Sequence, residues 1–225
     1  MVYDGRPARV LFSGSKVAAQ SGIALDDKSD LLFDYNQRFM ELTLALKPQK
    51  ILLVGGGAYT FPTALLSVLP ATSIDVVEID EGLDEIAARF FGLDTGNPRL
   101  NIIHEDGYAY MATHRRRYDL ILIDAFTQTA IPPDLISEEA GSSMYHNLKR
   151  KGVLAMNIIA SYYGHNSMML REVVAHWSHY FKAVTIYPAD MNVPLWLPQN
   201  FVLVAQKGRE RTLPLRFAPL KPLQP

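Results

Sequence analysis

Four groups of residues in this chain have the types and spacing to do chemistry together: Gly55-Gly56-Gly57, Glu78, Asp106-Gly107 and Asp124. Each closes a short apolar run: Ile51 to Val54, Ile74 to Val77, Leu100 to Ile103 and Tyr118 to Ile123. The first is wholly apolar and the fourth nearly so, and such runs read as strands buried on both faces, the kind found in parallel sheets. In a parallel sheet the carboxyl ends share one edge, so the four groups converge on one crevice. Glycines let the chain turn sharply and let a ligand approach where no Cβ intrudes. The helix that follows presents an N-terminus that favours negative charge. An acid about 20 residues beyond such a turn can accept both hydroxyls of a ribose, and Glu78 occupies that place. Taken singly, each residue has a plainer reading. Glu78 could be a solvated loop residue, Asp106 a helix N-cap, and Asp124 a cap for Ala125 and its neighbours. Their coincidence at four strand ends favours the functional reading.

What is missing narrows the ligand. No Gly-x-x-x-x-Gly-Lys-Ser/Thr sequence occurs, so no P-loop cradles a triphosphate, and no Gly-x-Ser-x-Gly elbow points to a serine hydrolase. The six histidines form no metal-like pattern with carboxylates, so no metal is expected. His176 and His179 share a helix face beside Trp177 and read as cover for the sheet. An adenosine-type ligand remains, with its ribose on Glu78 and its adenine amino group within reach of Asp106. The net charge of −1 argues against a nucleic-acid or membrane partner. The absence of cysteine excludes disulfides, thiolate metal sites and cysteine nucleophiles. No apolar run reaches membrane-span length and no signal-peptide pattern opens the chain, so a cytoplasmic location is the expectation.

The elements that must position these groups follow from periodicity and punctuation. Residues 1–28 read as a short N-terminal β-hairpin, with strands at Val10 to Phe12 and Val17 to Leu25 around Ser13-Gly14-Ser15. Leu31 to Leu46 has helical spacing and stops before Pro48. Tyr59 to Leu69, Glu81 to Phe91 and Tyr108 to Thr113 read as helices between the strands, the second with an acidic first turn suited to the helix dipole. Ala125 to Ser137, with Pro132-Pro133, reads as a loop at the ligand edge. Glu138 to Leu148 is predicted helical, ended by Lys149, Arg150, Lys151 and Gly152. A strand at Val153 to Ile159, a helix at Ser167 to Phe181 and strands at Val184 to Tyr187 and Phe201 to Ala205 complete a domain at 29–208. Residues 209–225 read as an irregular tail.

The order of these motifs resembles the spermidine synthase family, the polyamine aminopropyltransferases built on the Rossmann-like methyltransferase fold. The resemblance runs from about Asp30 to Lys207. It is carried by Val54-Gly55-Gly56-Gly57, Val77-Glu78-Ile79-Asp80, Glu105-Asp106-Gly107 and Tyr118-Asp119-Leu120-Ile121-Leu122-Ile123-Asp124. It implies an α/β fold with a seven-stranded, mostly parallel sheet of order 3-2-1-4-5-7-6, the last strand antiparallel and helices on both faces. The cofactor would be S-adenosylmethionine or its decarboxylated form, held by Gly55, Gly56, Gly57, Glu78, Ile79, Asp106 and Gly107, with Gln20 a further contact. Asp124 would take the proton from an attacking amine, and Tyr35 and Tyr187 would contact a polyamine. A role in polyamine biosynthesis and a homodimer are implied as well.

The chain departs from the family's pattern in two places. The family reads Gly-Gly-Gly-Asp-Gly after the first strand, and here Ala58 follows Gly57. The family's second Asp, three residues after the first at the fourth strand, is here Thr127. Both missing acids serve cationic amines, and a carboxylate about 4 Å from an ammonium is worth roughly 4 kcal/mol at an effective dielectric of about 20. Their loss also removes what would repel the carboxylate of S-adenosylmethionine itself. The N-terminal part is shorter than the family's usual β domain. The transferred group is therefore aminopropyl, or methyl if Ala58 has changed the cofactor. Two other readings compete: a non-catalytic nucleoside-binding or interaction protein that kept the fold, and a nicotinamide dehydrogenase. The second suits the glycine turn and Glu78 but not Asp106-Gly107.

Overall fold

The computed structural model describes residues 1–225 except 4, 13–18, 27–29, 127–129, 209, 214, 217 and 221–225. Apolar runs at Lys50–Val54 (β4), Ser73–Glu78 (β5), Leu100–His104 (β6) and Tyr118–Ile123 (β7) pair in parallel. Leu148–Ala160 (β8) adds to β7 in parallel, and Gln199–Gln206 (β10) runs antiparallel between β8 and Ala183–Pro188 (β9). The sheet order is β6-β5-β4-β7-β8-β10-β9. Counted from the first strand of the sheet, this is the expected 3-2-1-4-5-7-6.

Both faces of the sheet are apolar because helices cover both. Asp34–Leu46 (α1), Thr60–Val68 (α2) and Gly82–Phe90 (α3) bury Phe39, Leu42, Leu65 and Ala87 against Ile51, Leu53, Val76 and Leu122. Gly107–Thr113 (α4), Pro133–Ile136 (α5), Glu138–Asn147 (α6) and Met168–Ser178 (α7) cover the other face. There Met111, Met144, Leu170 and Trp177 pack on Leu52, Ile121, Leu154 and Leu203. Each fully buried side chain of this size contributes about 1.5–3 kcal/mol.

Three local readings change. The N-terminal hairpin is a three-stranded sheet, because Val2–Tyr3 (β1) pairs with Arg6–Phe12 (β2), which pairs with Ala19–Ala24 (β3). Ser13-Gly14-Ser15, where the sequence reading put the turn, lies outside the described residues. The loop at the ligand edge contains the short α5. Lys149, Arg150 and Lys151 do not end a helix but open β8. Lys149 is drawn into the strand by a 2.8 Å bond to Asp119. The last carbonyls of α6 are met instead by Arg117, which bonds the His146 carbonyl, and by Lys207, which donates to the Tyr145 carbonyl at 2.6 Å. Beyond β10 the described residues form no helix or strand, yet they pack on the domain. Leu213 is buried and the Leu220 N–H donates to the Ile186 carbonyl at 2.8 Å.

Candidate active site

The sheet register brings the glycine turn to Asp124. The Asp124 N–H continues the ladder by donating to the Val54 carbonyl at 2.8 Å, and the Gly55 N–H donates to the Val77 carbonyl at 2.9 Å. Gly55 has φ +93°, and a Cβ there would stand 2.2 Å from the Asp124 carbonyl oxygen. Only glycine lets the chain leave β4 so close to the end of β7. Gly107, at the start of α4, is constrained in the same way, since a Cβ would fall 2.3 Å from Cγ1 of Val54.

Glu78 ends β5 with its carboxylate turned under the glycine loop. Oε2 accepts from the Gly56 N–H at 2.7 Å and the Gly57 N–H at 3.1 Å, and Oε1 accepts from the Asp80 N–H at 3.0 Å. The side chain is buried. Three N–H bonds satisfy this charge, each worth about 1.5–3 kcal/mol when one partner is ionised. A carboxylate offers about four lone-pair directions, so roughly one, on Oε1, stays free for a ribose hydroxyl. A grip on both hydroxyls requires a glycine N–H to give way.

Asp124 is the centre of a polar chain on the α1 face. Nδ2 of Asn157, on β8, donates to its Oδ1 at 3.1 Å. The Tyr35 hydroxyl, from the first turn of α1, donates to the same carboxylate, and the Asn36 side chain donates to that hydroxyl. Burial pushes the Asp124 carboxyl up to about 6, against the opposing hydrogen bonds of Asn157 and Tyr35. Burial, with the neighbouring charge of Asp124, raises the Tyr35 phenol well above its ordinary value. Tyr35 thus stays neutral, and Asp124 is a base of intermediate strength. The side-chain oxygens of Asn36 and Asn157 are buried without hydrogen-bond partners.

The remaining sequence candidates fall into three groups. Asp106 caps α4, its Oδ1 accepting from the Ala109 N–H at 2.8 Å. The residue is exposed, and its second oxygen is available to a ligand. Ile79 stands beside Glu78 with 71% of its surface exposed, an unusual placement for a large apolar side chain. Gln20 is exposed on β3, and its carbonyl approaches Gly57. Tyr187 lies near the carboxyl end of β9 in the same buried cluster as Tyr35, and burial raises its phenol. Thr127 lies outside the described residues. Ala58 does not face an open crevice: it is buried in a small apolar cluster with Ile23 and Phe91.

Two residues that the fold recruits carry no signal of their own in the sequence reading, Ser21 and Asn157. Ser21 Oγ accepts from the Ala58 N–H at 2.9 Å and so fastens the N-terminal sheet to the glycine loop. Asn157 gave no signal because it lies within an apolar strand; its isolation there was the available clue. His176 and His179 bond the Ile136 carbonyl and Glu138. Among the described residues no group of three or more His, Asp or Glu side chains could hold a metal ion. No helix among them is long and apolar enough to cross a membrane.

Known proteins resemble this chain in sequence and fold. The spermine/spermidine synthase domain model matches residues 32–212. The polyamine aminopropyltransferase of Vibrio vulnificus is 32% identical over 138 residues, covering 60% of this chain and 46% of that protein. That of Agathobacter rectalis is 24% identical over 183 residues, 79% of this chain and 64% of its own length. The chain thus spans between about half and two thirds of these relatives. A probable spermidine synthase from Corynebacterium glutamicum superposes with TM-score 0.75 at 19% identity, over 88% of this chain and 76% of that one. A human methyltransferase-like protein 13, solved with SAH, gives 0.66 at 22% identity over 80% and 85%. These two likenesses establish the fold. The domain match covers most of the chain, and this protein belongs to the spermine/spermidine synthase family.

Proposed function

We propose that the chain is a transferase that binds an adenosyl sulfonium and passes an aminopropyl group from decarboxylated S-adenosylmethionine to an amine. The observation that carries this reading is the placement of Asp124. A half-buried carboxylate with a pKa raised to about 6 stands on the residue whose backbone packs against Gly55, in the glycine turn whose N–H groups hold Glu78. The amine lone pair attacks the methylene carbon next to sulfur, a C–N bond forms and the C–S bond breaks. Sulfur keeps the electron pair and leaves as the neutral thioether methylthioadenosine. The proton lost by nitrogen passes to Asp124, while Tyr35 and Asn157 hold the carboxylate in place. Most of the rate would come from alignment of the two reactants. The relatives named polyamine aminopropyltransferase support the reading, as does the spermidine synthase fold neighbour solved with the transition-state analogue AdoDATO. Glu78 and Asp106 would hold the ribose and adenine, and Ile79 would cover the base.

The lack of an acid after Gly57 favours a second reading, methyl transfer from S-adenosylmethionine, because the glycine loop then carries no carboxylate to attract an aminopropyl tail or repel a carboxylate. One experiment separates the two. The protein is incubated with each sulfonium and a panel of alkyl diamines, and products are weighed by mass spectrometry. Methylthioadenosine with an aminopropylated amine supports the first reading, and S-adenosylhomocysteine the second. Neither product, with no nucleoside bound in calorimetry, removes both.

A further inference from the structure

The family's Gly-Gly-Gly-Asp-Gly pattern ends in a glycine, and the corresponding residue here is Tyr59. Its backbone is left-handed, with φ 56° and ψ 24°, immediately before α2. Non-glycine residues avoid this region because Cβ crowds the following carbonyl, so a large side chain held there needs a compensating set of contacts. Those contacts are present. The Tyr59 ring is fully buried, and it lies so close to Gly56 that a Cβ there would be 2.7 Å from Cε1. The Tyr59 N–H donates to the Gly56 carbonyl at 2.8 Å. The hydroxyl donates to Oδ1 of Asp84 on α3 at 2.6 Å, and Oδ2 of Asp84 meets Nε2 of His104 at 3.1 Å. His104 pairs in register with Glu78 across β5 and β6. The contacts therefore run from the glycine loop through Tyr59, Asp84 and His104 back to the strand position beside Glu78.

We infer that Tyr59 is a positioning residue of the nucleoside site: its ring seats Gly56 so that the Gly56 and Gly57 N–H groups stay aimed at Glu78. It acts through that loop. A family glycine at this place would leave the backbone relaxed and the space under Gly56 to other side chains. Here the ring fills that space and fixes the loop before any ligand arrives. The inference deepens the proposed function, since the loop is where the adenosyl group would sit.

The test compares Tyr59→Ala, Tyr59→Phe and, as a control, Leu65→Ala, which removes another fully buried side chain from α2 on the same face. Amide hydrogen exchange of Gly56 and Gly57 is measured for each variant without ligand. Affinity for methylthioadenosine is then measured by calorimetry. Tyr59→Ala should speed exchange at both glycines at least tenfold, and Tyr59→Phe, which keeps the ring, three- to tenfold. Leu65→Ala should leave both amides within threefold of the wild type despite a lower Tm. Where the wild type binds methylthioadenosine, the two Tyr59 variants should lose affinity in the same order. Unchanged exchange in Tyr59→Ala, or an equal rise in Leu65→Ala, overturns the inference. Exchange is read without ligand, so failure of the wild type to bind the nucleoside counts against the proposed function and leaves the exchange result decisive for Tyr59.

Discussion

Replacing Glu78 by glutamine tests the site at its most constrained point. The carboxylate accepts three backbone N–H bonds, two on Oε2 and one on Oε1. An amide can present its oxygen to the two glycine N–H groups only by turning its NH2 toward the Asp80 N–H, donor against donor. One charge-assisted bond is lost, about 1.5–3 kcal/mol, and the other two fall toward neutral strength of about 0.5–1.5 kcal/mol each. Removing a buried charge returns part of this through relieved desolvation. A net destabilisation of about 2–4 kcal/mol is expected. At roughly 2–4 °C per kcal/mol for a domain of this size, Tm should fall by about 4–16 °C. In the binding assay the weakened ribose contact should raise the Kd for methylthioadenosine roughly ten- to a hundredfold. Scanning calorimetry and titration calorimetry read the two effects separately. A Glu78→Gln protein that melts within about 1 °C of the wild type and binds equally well would refute the assignment of Glu78 to the site.

Asp124→Asn should abolish most turnover while nucleoside affinity stays within about threefold, and loss of affinity without loss of turnover would make Asp124 merely structural. Because the folded carboxyl is raised from 3.8 to about 6, the native state binds more protons than the unfolded chain between those values. Stability contributed by this group is therefore present below about pH 4 and lost as pH rises through about 6, by at most ~3 kcal/mol. Asp124→Asn should flatten that part of the Tm profile, and an unaltered profile contradicts the burial argument. Turnover of the wild type should rise with pH through about 6 as the base ionises. Ala58→Asp places a carboxylate in the Ile23 and Phe91 cluster and should lower Tm by several degrees; an unchanged Tm together with a shift toward the decarboxylated cofactor would show that the side chain turns to the ligand. Gly107→Ala overpacks against Val54 and should cost about 1–3 kcal/mol in chemical denaturation, which a variant of wild-type midpoint would disprove.

The sequence by itself determined the sheet and its ligand edge. Runs such as Ile51 to Val54 and Tyr118 to Ile123 are short, rich in Ile, Leu and Val and without polar alternation, which reads as strands covered on both sides. A parallel sheet then places Gly55, Glu78, Asp106 and Asp124 at one end without further information. Tertiary structure alone decided what each of those groups touches. Asn157 reaches Asp124 because β7 and β8 pair with Ile123 opposite Met156, a register that no local pattern records. Lys149 to Lys151 looked like a helix end because cations suit helix C-termini. The fold gives that task to Arg117 and Lys207, distant in sequence, and Asp119 draws Lys149 into β8. Ala58 stands where the family pattern has an acid facing the cofactor's tail, and it is covered by Ile23 of β3. A side chain's direction depends on which neighbour has already filled the space, and that is set by packing between elements rather than by spacing along the chain.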